Sequence, residues 1–155
     1  MSIMKPPSPS SLEAHVGFWL RFVSNHVSHA FKLKVEAHGV TVAEWVVLRA
    51  LFDADDVNPS EIAERLGMTR GAISKLIDRV VAKRLVKCKV EKGDRRFQSL
   101  ILTPAGRKLV PVLAALADQN DAEFFGQLAD EQRSGLIALL KDIVRDRELR
   151  DVPVN

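Results

Sequence analysis

The chain has 155 residues, 46% hydrophobic and 28% charged, which excludes wholesale disorder or a fibrous repeat and leaves little room for a separate catalytic domain. Its longest stretch without a charged residue is ten, where a membrane span needs about 20 apolar residues, and the start lacks the basic-then-apolar pattern of a secretory leader, so a cytoplasmic protein with no membrane partner is expected. One cysteine, Cys88, excludes an internal disulfide and a cysteine-rich zinc site, and neither a metal nor another cofactor is expected.

Residues 1–11 carry Pro6, Pro7 and Pro9 among serines, a composition that predicts a disordered tail. From Leu12 to about Ala37, Val16, Trp19, Phe22, Val23, His26, Val27, Ala30 and Phe31 recur at steps of three and four, one face of a long helix that Gly39 stops. Thr41 and Glu44 have capping-box spacing for a second helix, Val42 to Phe52, in which each side chain satisfies the other's backbone donor. After a polar loop, Asn58, Pro59 and Glu61 open a short helix that turns Ile62, Ala63 and Leu66 inward and stops at Gly67. Thr69 then caps a helix running to about Arg84, so two short amphipathic helices meet at a glycine-containing turn. Ala72, Ile73, Leu76, Ile77 and Val80 form that helix's core side. Gly71, Ser74, Lys75, Asp78 and Ala82 point away, with Arg70 and Arg79 at the edges of this outward face.

Beyond Leu85 the period becomes two. Val86, Cys88 and Val90 alternate with Lys87, Lys89 and Glu91, and Phe97 to Leu102 return as a second strand around the polar tip Lys92–Arg96. Alternation places Cys88 on the inner face, packed beside Val86 and Val90, rather than as an exposed redox thiol. Thr103 and Pro104 open a helix with Leu109, Val112, Leu113, Leu116 and later Phe124, Phe125 and Leu128 on one face, bent at Pro111. Asp130 and Glu131 start a last helix whose stripe is Leu136, Ile137, Leu139, Leu140, Ile143 and Val144.

The fold class is therefore mainly α with a small β-hairpin wing: a winged helix-turn-helix lobe over residues 57–103, N-terminal helices over 12–56 and C-terminal helices over 104–150. Charge follows this division. Residues 59–103 hold eleven basic and five acidic side chains, a net of +6 in a chain of net +3, so the remainder carries −3. A basic middle suits a polyanion, and the major groove of B-DNA accepts one α-helix. Ser74 and Lys75 are placed for base edges, Arg70 and Arg79 for phosphates or guanine edges, with Thr69 and Gly71 at the entering end.

The order of these elements, the segment PSEIAERLGMTRGAISKLIDRVVAKRLV, the tip KGDRR and the closing strand LILTPAG resemble the MarR family of bacterial transcription regulators over nearly the whole chain. The resemblance implies that Thr69 through Arg84 is a recognition helix. Its Asp-x-Arg wing pattern falls on Asp94 and Arg96, with Arg95 between, so that Arg96 enters the minor groove while Asp94 steadies the wing. It also implies a homodimer interlocked through the first and last two helices, a repressor role, and a pseudo-palindromic site with half-sites about 34 Å apart. The dimer has independent support, because Leu12 to Phe31 and Leu136 to Val144 carry more apolar surface than a small lobe covers.

A small aromatic effector is a possible further partner, and Trp19, Phe22, Trp45 and Arg49 are the candidate pocket residues, where the first two helices meet. His26 and His29 have i, i+3 spacing but no carboxylate or cysteine beside them, and with His15 and His38 are read as packing or solvated rather than as metal ligands. The alternative function is a protein-interaction module that docks an acidic partner on the basic face, since fold alone does not decide function. No nucleophile with a base, paired carboxylates or phosphate-binding glycine loop is present, so an enzyme is not expected.

Overall fold

The computed structural model describes residues 6–54, 56–90 and 98–150. The wing tip, including Asp94, Arg95 and Arg96, lies outside the described residues. A 3₁₀ turn, Leu12–Ala14, precedes helices α1 (Val16–Glu36), α2 (Val42–Phe52), α3 (Pro59–Leu66) and α4 (Arg70–Ala82). Strands β1 (Val86–Val90) and β2 (Gln98–Leu102) follow, then α5 (Pro104–Phe125) and α6 (Asp130–Asp146).

The first helix thus begins later than its apolar pattern predicts. His15 is extended, with ψ 126°, and separates the 3₁₀ turn from α1. The indole of Trp19 donates to the Glu13 carbonyl at 2.9 Å across this break. Gly39 closes the far end at φ 81°, a left-handed conformation that glycine adopts without a Cβ penalty. Helix α5 continues through Pro111 as one element.

The core lies between the lobe and the helices α2 and α5. Val47, Leu48 and Leu51 of α2 meet Ile62 of α3, Ile73 and Val80 of α4, Val86 and Leu100 of the hairpin, and Val110 and Leu113 of α5, all buried. Each such side chain contributes about 1.5–3 kcal/mol on leaving water. The strands pair antiparallel, Val86 with Leu102 and Cys88 with Leu100. Leu100 N–H also donates to the Val57 carbonyl at 2.8 Å, so the segment entering α3 adds a one-residue bridge to the hairpin root.

The stem differs. Helices α1 and α5 pack together through a polar bridge in which Asn120, buried, donates to the Val27 carbonyl at 3.2 Å and accepts from Lys34 Nζ at 3.0 Å. Helix α6 buries no residue. None of the helices among the described residues is long and apolar enough to cross a membrane.

Candidate nucleic-acid interface

Local chemistry builds the two-helix unit. Asn58 Oδ1 accepts from Glu61 N–H at 2.8 Å and its amide donates back to Glu61 Oε1 at 3.0 Å, while Pro59 takes the first helical position, where an amide hydrogen has no partner to lose. Gly67 ends α3 at φ 61°, and Met68 N–H donates to the Ala63 carbonyl at 2.9 Å, closing the last turn. Thr69 Oγ1 accepts from Ala72 N–H at 3.2 Å and starts α4 two residues after Gly67.

Helix α4 buries Ile73, Leu76, Ile77 and Val80 and exposes Arg70, Gly71, Ser74, Lys75, Asp78 and Arg79; Thr69 is exposed at its cap. Ala72, assigned inward by the helical pattern, is only half-buried. A Cβ added to Gly71 would meet nothing within 4 Å, so the N-terminal turn presents bare backbone. Arg70 is fixed by Ser60, its Nη2 donating to the hydroxyl at 2.6 Å. One face of one helix therefore offers three cations, a hydroxyl and a glycine to a groove-sized partner. Lys87 and Lys89 on β1 are exposed beside it, Lys89 lying 4.0 Å from Asp56. Asp94, Arg95 and Arg96 fall outside the described residues and join the site in sequence only.

Three sequence-based placements need correction. Helix α4 ends at Ala82, two residues early, because Arg84 takes φ 61° and Leu85 N–H donates back to the Val80 carbonyl at 3.0 Å. Cys88 is exposed, not packed. Val86, two residues before it, and Leu100, paired with it across the hairpin, are both buried. Partial desolvation, with the negative charge of Asp78, pushes its thiol pKa up, which disfavours the reactive thiolate.

The proposed aromatic quartet is split. Trp19 and Phe22 line an apolar groove of about 680 Å³ with Val16, Phe124, Phe125 and Leu136, at the outer end of the stem. Trp45 instead packs edge-on against Phe31, centroids 6.4 Å apart, and Arg49 pairs with Asp53 at 2.6 Å while lying over the Phe52 ring. A second cavity, about 210 Å³, lies where α1, α2 and α5 converge, lined by Val27, Ser28, Phe31, Val42, Ala117, Asn120 and Asp121. His26 stacks beside Phe22 with centroids 4.9 Å apart.

Sequence reading also missed an internal role for one basic residue. Glu44 does not complete a reciprocal capping box. Thr41 Oγ1 accepts from its N–H at 3.1 Å, but the Glu44 carboxylate is buried against Lys83, with Nζ to Oε2 2.7 Å. The signal available in sequence was a carboxylate at an otherwise apolar helix position.

Comparison with known proteins follows this architecture. Residues 38–96 match the model of the MarR family. The HTH-type transcriptional repressor NicR of Pseudomonas putida is 24% identical over 141 residues, covering 91% of this chain and 89% of its own. Among solved structures, Bordetella bronchiseptica BpsR, described for regulation of its DNA binding by 6-hydroxynicotinic acid, is 27% identical with TM-score 0.78, over 88% of this chain and 99% of its own. S. aureus MepR, solved as a DNA complex, shares the fold at 22% identity and TM-score 0.78, over 85% of this chain and 98% of its own.

Proposed function

We propose that the chain is a transcriptional regulator of the MarR family, whose model residues 38–96 match, and that it is a homodimeric repressor that binds a pseudo-palindromic DNA site and releases it when a small aromatic effector binds. The observation that carries this reading is the exposed face of α4, where Arg70, Ser74, Lys75 and Arg79 stand beside a basic hairpin. Ser74 and Lys75 read base edges in the major groove; Arg70 and Arg79 hold phosphates or guanine edges. Arg96 enters the minor groove, steadied by Asp94, with Arg95 between them in the wing. Residues 57–103 act as the DNA-binding lobe, with 12–56 and 104–150 forming and supporting the dimer.

The apolar faces of α1 and α6 support the dimer: Val16 is 72% and Leu139 63% exposed in the single chain, surface that a soluble monomer rarely leaves open in one contiguous band. Two-fold symmetry then holds two recognition helices about 34 Å apart, one turn of B-DNA. An effector acts by binding one arrangement of the two lobes better than the other. The regulation of BpsR by 6-hydroxynicotinic acid makes hydroxylated aromatic acids the first class to try.

Binding of the purified chain to the DNA upstream of its own gene, measured across salt concentrations, tests this. Lys75→Ala with Arg79→Ala is expected to weaken binding by about 1–3 kcal/mol per lost base contact. Each lost phosphate contact lowers the salt slope by about 0.9. Unchanged affinity in the double variant overturns the assignment of α4.

A further inference from the structure

Lys83 is one of the eleven basic residues of the lobe and stands at the C-terminal end of α4, where a phosphate contact would be the natural assignment. Its surroundings give it other work. Nζ donates to the Gly39 carbonyl at 2.8 Å, to Glu44 Oε2 at 2.7 Å and to Glu44 Oε1 at 3.0 Å, which uses all three ammonium hydrogens inside the protein. Glu44 is 1% exposed, and Lys83 is its only ion-pair partner among the described residues. Removing one member of such a pair strands a buried charge. Helix ends reinforce the pair: Glu44 is the third residue of α2 and Lys83 follows the last residue of α4, positions that favour an anion and a cation respectively.

A second tie acts at the same point. Thr103 Oγ1 donates to the Arg84 carbonyl at 2.8 Å and Thr103 N–H to the Leu85 carbonyl at 3.0 Å, while Thr103 caps α5. The C-terminal end of α4 is therefore held between the corner joining α1 to α2 and the first turn of α5. Among the described residues its N-terminal end has no comparable link to the stem; there Arg70 meets Ser60 of the neighbouring α3.

Resting on the DNA-binding reading above, we propose that Lys83 is a positioning residue that makes no DNA contact and instead joins the α1–α2 corner to the recognition helix, setting the tilt at which α4 meets the groove. Motion of the stem then reaches the DNA-facing side chains through this joint. A phosphate-binding lysine and a joint make opposite predictions for Glu44, which is buried and cannot touch DNA.

The test compares wild type, Lys83→Met and Glu44→Gln on a specific duplex from the upstream DNA and on an unrelated duplex, over a salt series. It is run at a temperature where circular dichroism shows each variant folded and sedimentation shows the wild-type assembly. Both variants are expected to bind the specific duplex at least tenfold more weakly, with the salt slope and the binding to unrelated DNA unchanged. If Lys83→Met does not fold, Glu44→Leu combined with Lys83→Met removes both charges together and is expected to fold yet bind as weakly. A salt slope lowered by about 0.9 in Lys83→Met with Glu44→Gln unaffected makes Lys83 a phosphate contact and overturns the proposal. Specific affinity within twofold of wild type in both single variants, or in the double variant, also overturns it while leaving the DNA reading intact. A wild-type chain that binds no duplex overturns that reading and this inference with it.

Discussion

The lobe and the stem are made of similar amphipathic helices, yet they spend their apolar residues differently. In the lobe Ile62, Ile73 and Leu100 are buried against Leu48 and Leu51 of α2 within one chain, and each helix start is closed by a side chain, Asn58 for α3 and Thr69 for α4. In the stem, α6 has an apolar stripe of comparable length with none of it buried, and the first half of α1 leaves Val16, Trp19, Phe22 and Val23 exposed. Their proximity to the Phe124–Phe125 pair produces the open apolar groove. The lobe is covered within one chain, by α2 and α5; the stem is half of a surface.

Breaking that half surface carries the largest expected effect. Phe22→Asp with Leu139→Asp alters positions 52% and 63% exposed, so the single chain loses little packing while a paired face acquires buried carboxylates. Sedimentation should find a monomer, and binding to a two-half-site duplex should fall by about 10²–10⁴ as the second contact stops being intramolecular. A variant that remains dimeric and binds normally shows that this band is covered in some other way.

The lobe can be broken at its junction with the stem by a single methyl group. A Cβ on Gly106 would lie 2.2 Å from the Leu85 carbonyl oxygen and 3.2 Å from Leu102 Cδ2. The first of these is backbone already engaged by Thr103 N–H and has little freedom to retreat. Gly106→Ala should cost about 1–3 kcal/mol, as overpacking does, and lower Tm by several degrees. Because Leu85 follows the end of α4, specific DNA affinity should fall as well. An unchanged melting curve would mean that α5 slides away at little cost and that the junction is softer than its contacts imply.

How far these features could be read from the sequence depends on how local their causes are. The bounds of α2 and the starts of α3 and α4 follow from caps three residues away from the group they satisfy, Thr41 to Glu44, Asn58 to Glu61 and Thr69 to Ala72, and they were legible. The partner of Glu44 lies 39 residues further on, beyond the reach of any local pattern, so an acid that reads as half of a capping box is in fact half of an ion pair. Periodicity placed Cys88 inward beside Val86, yet the thiol is exposed, because alternation along a strand does not say which of its inward positions are covered. Helical wheels likewise place Trp45 and Arg49 on α2 without fixing how α2 is rotated against α1, which is why the four-residue pocket does not assemble. The wing residues Asp94, Arg95 and Arg96 rest on their motif alone.

The smallest expected effect sharpens the contrast from the stem side. Lys34 of α1 reaches Glu123 of α5 at 2.8 Å and Gln119 donates to the same carboxylate at 3.0 Å. Hydrogen bonds from Lys34 and then Gln119 hold the Glu123 carboxyl below its ordinary pKa. Its folded state therefore binds a proton less readily than its unfolded state does. The stabilisation is present above the ordinary carboxylate pKa and is lost as pH falls through the lowered folded value. Glu123 is solvent-exposed, and screening keeps the effect small. Thermal melts of wild type and Glu123→Gln should differ slightly at neutral pH, with the wild type higher, and converge as the solution is acidified below the carboxylate range. A difference that persists in acid would assign the role of Glu123 to packing along α5, and the buried Asn120 with its bond to the Val27 carbonyl would then be the polar tie that holds α1 to α5.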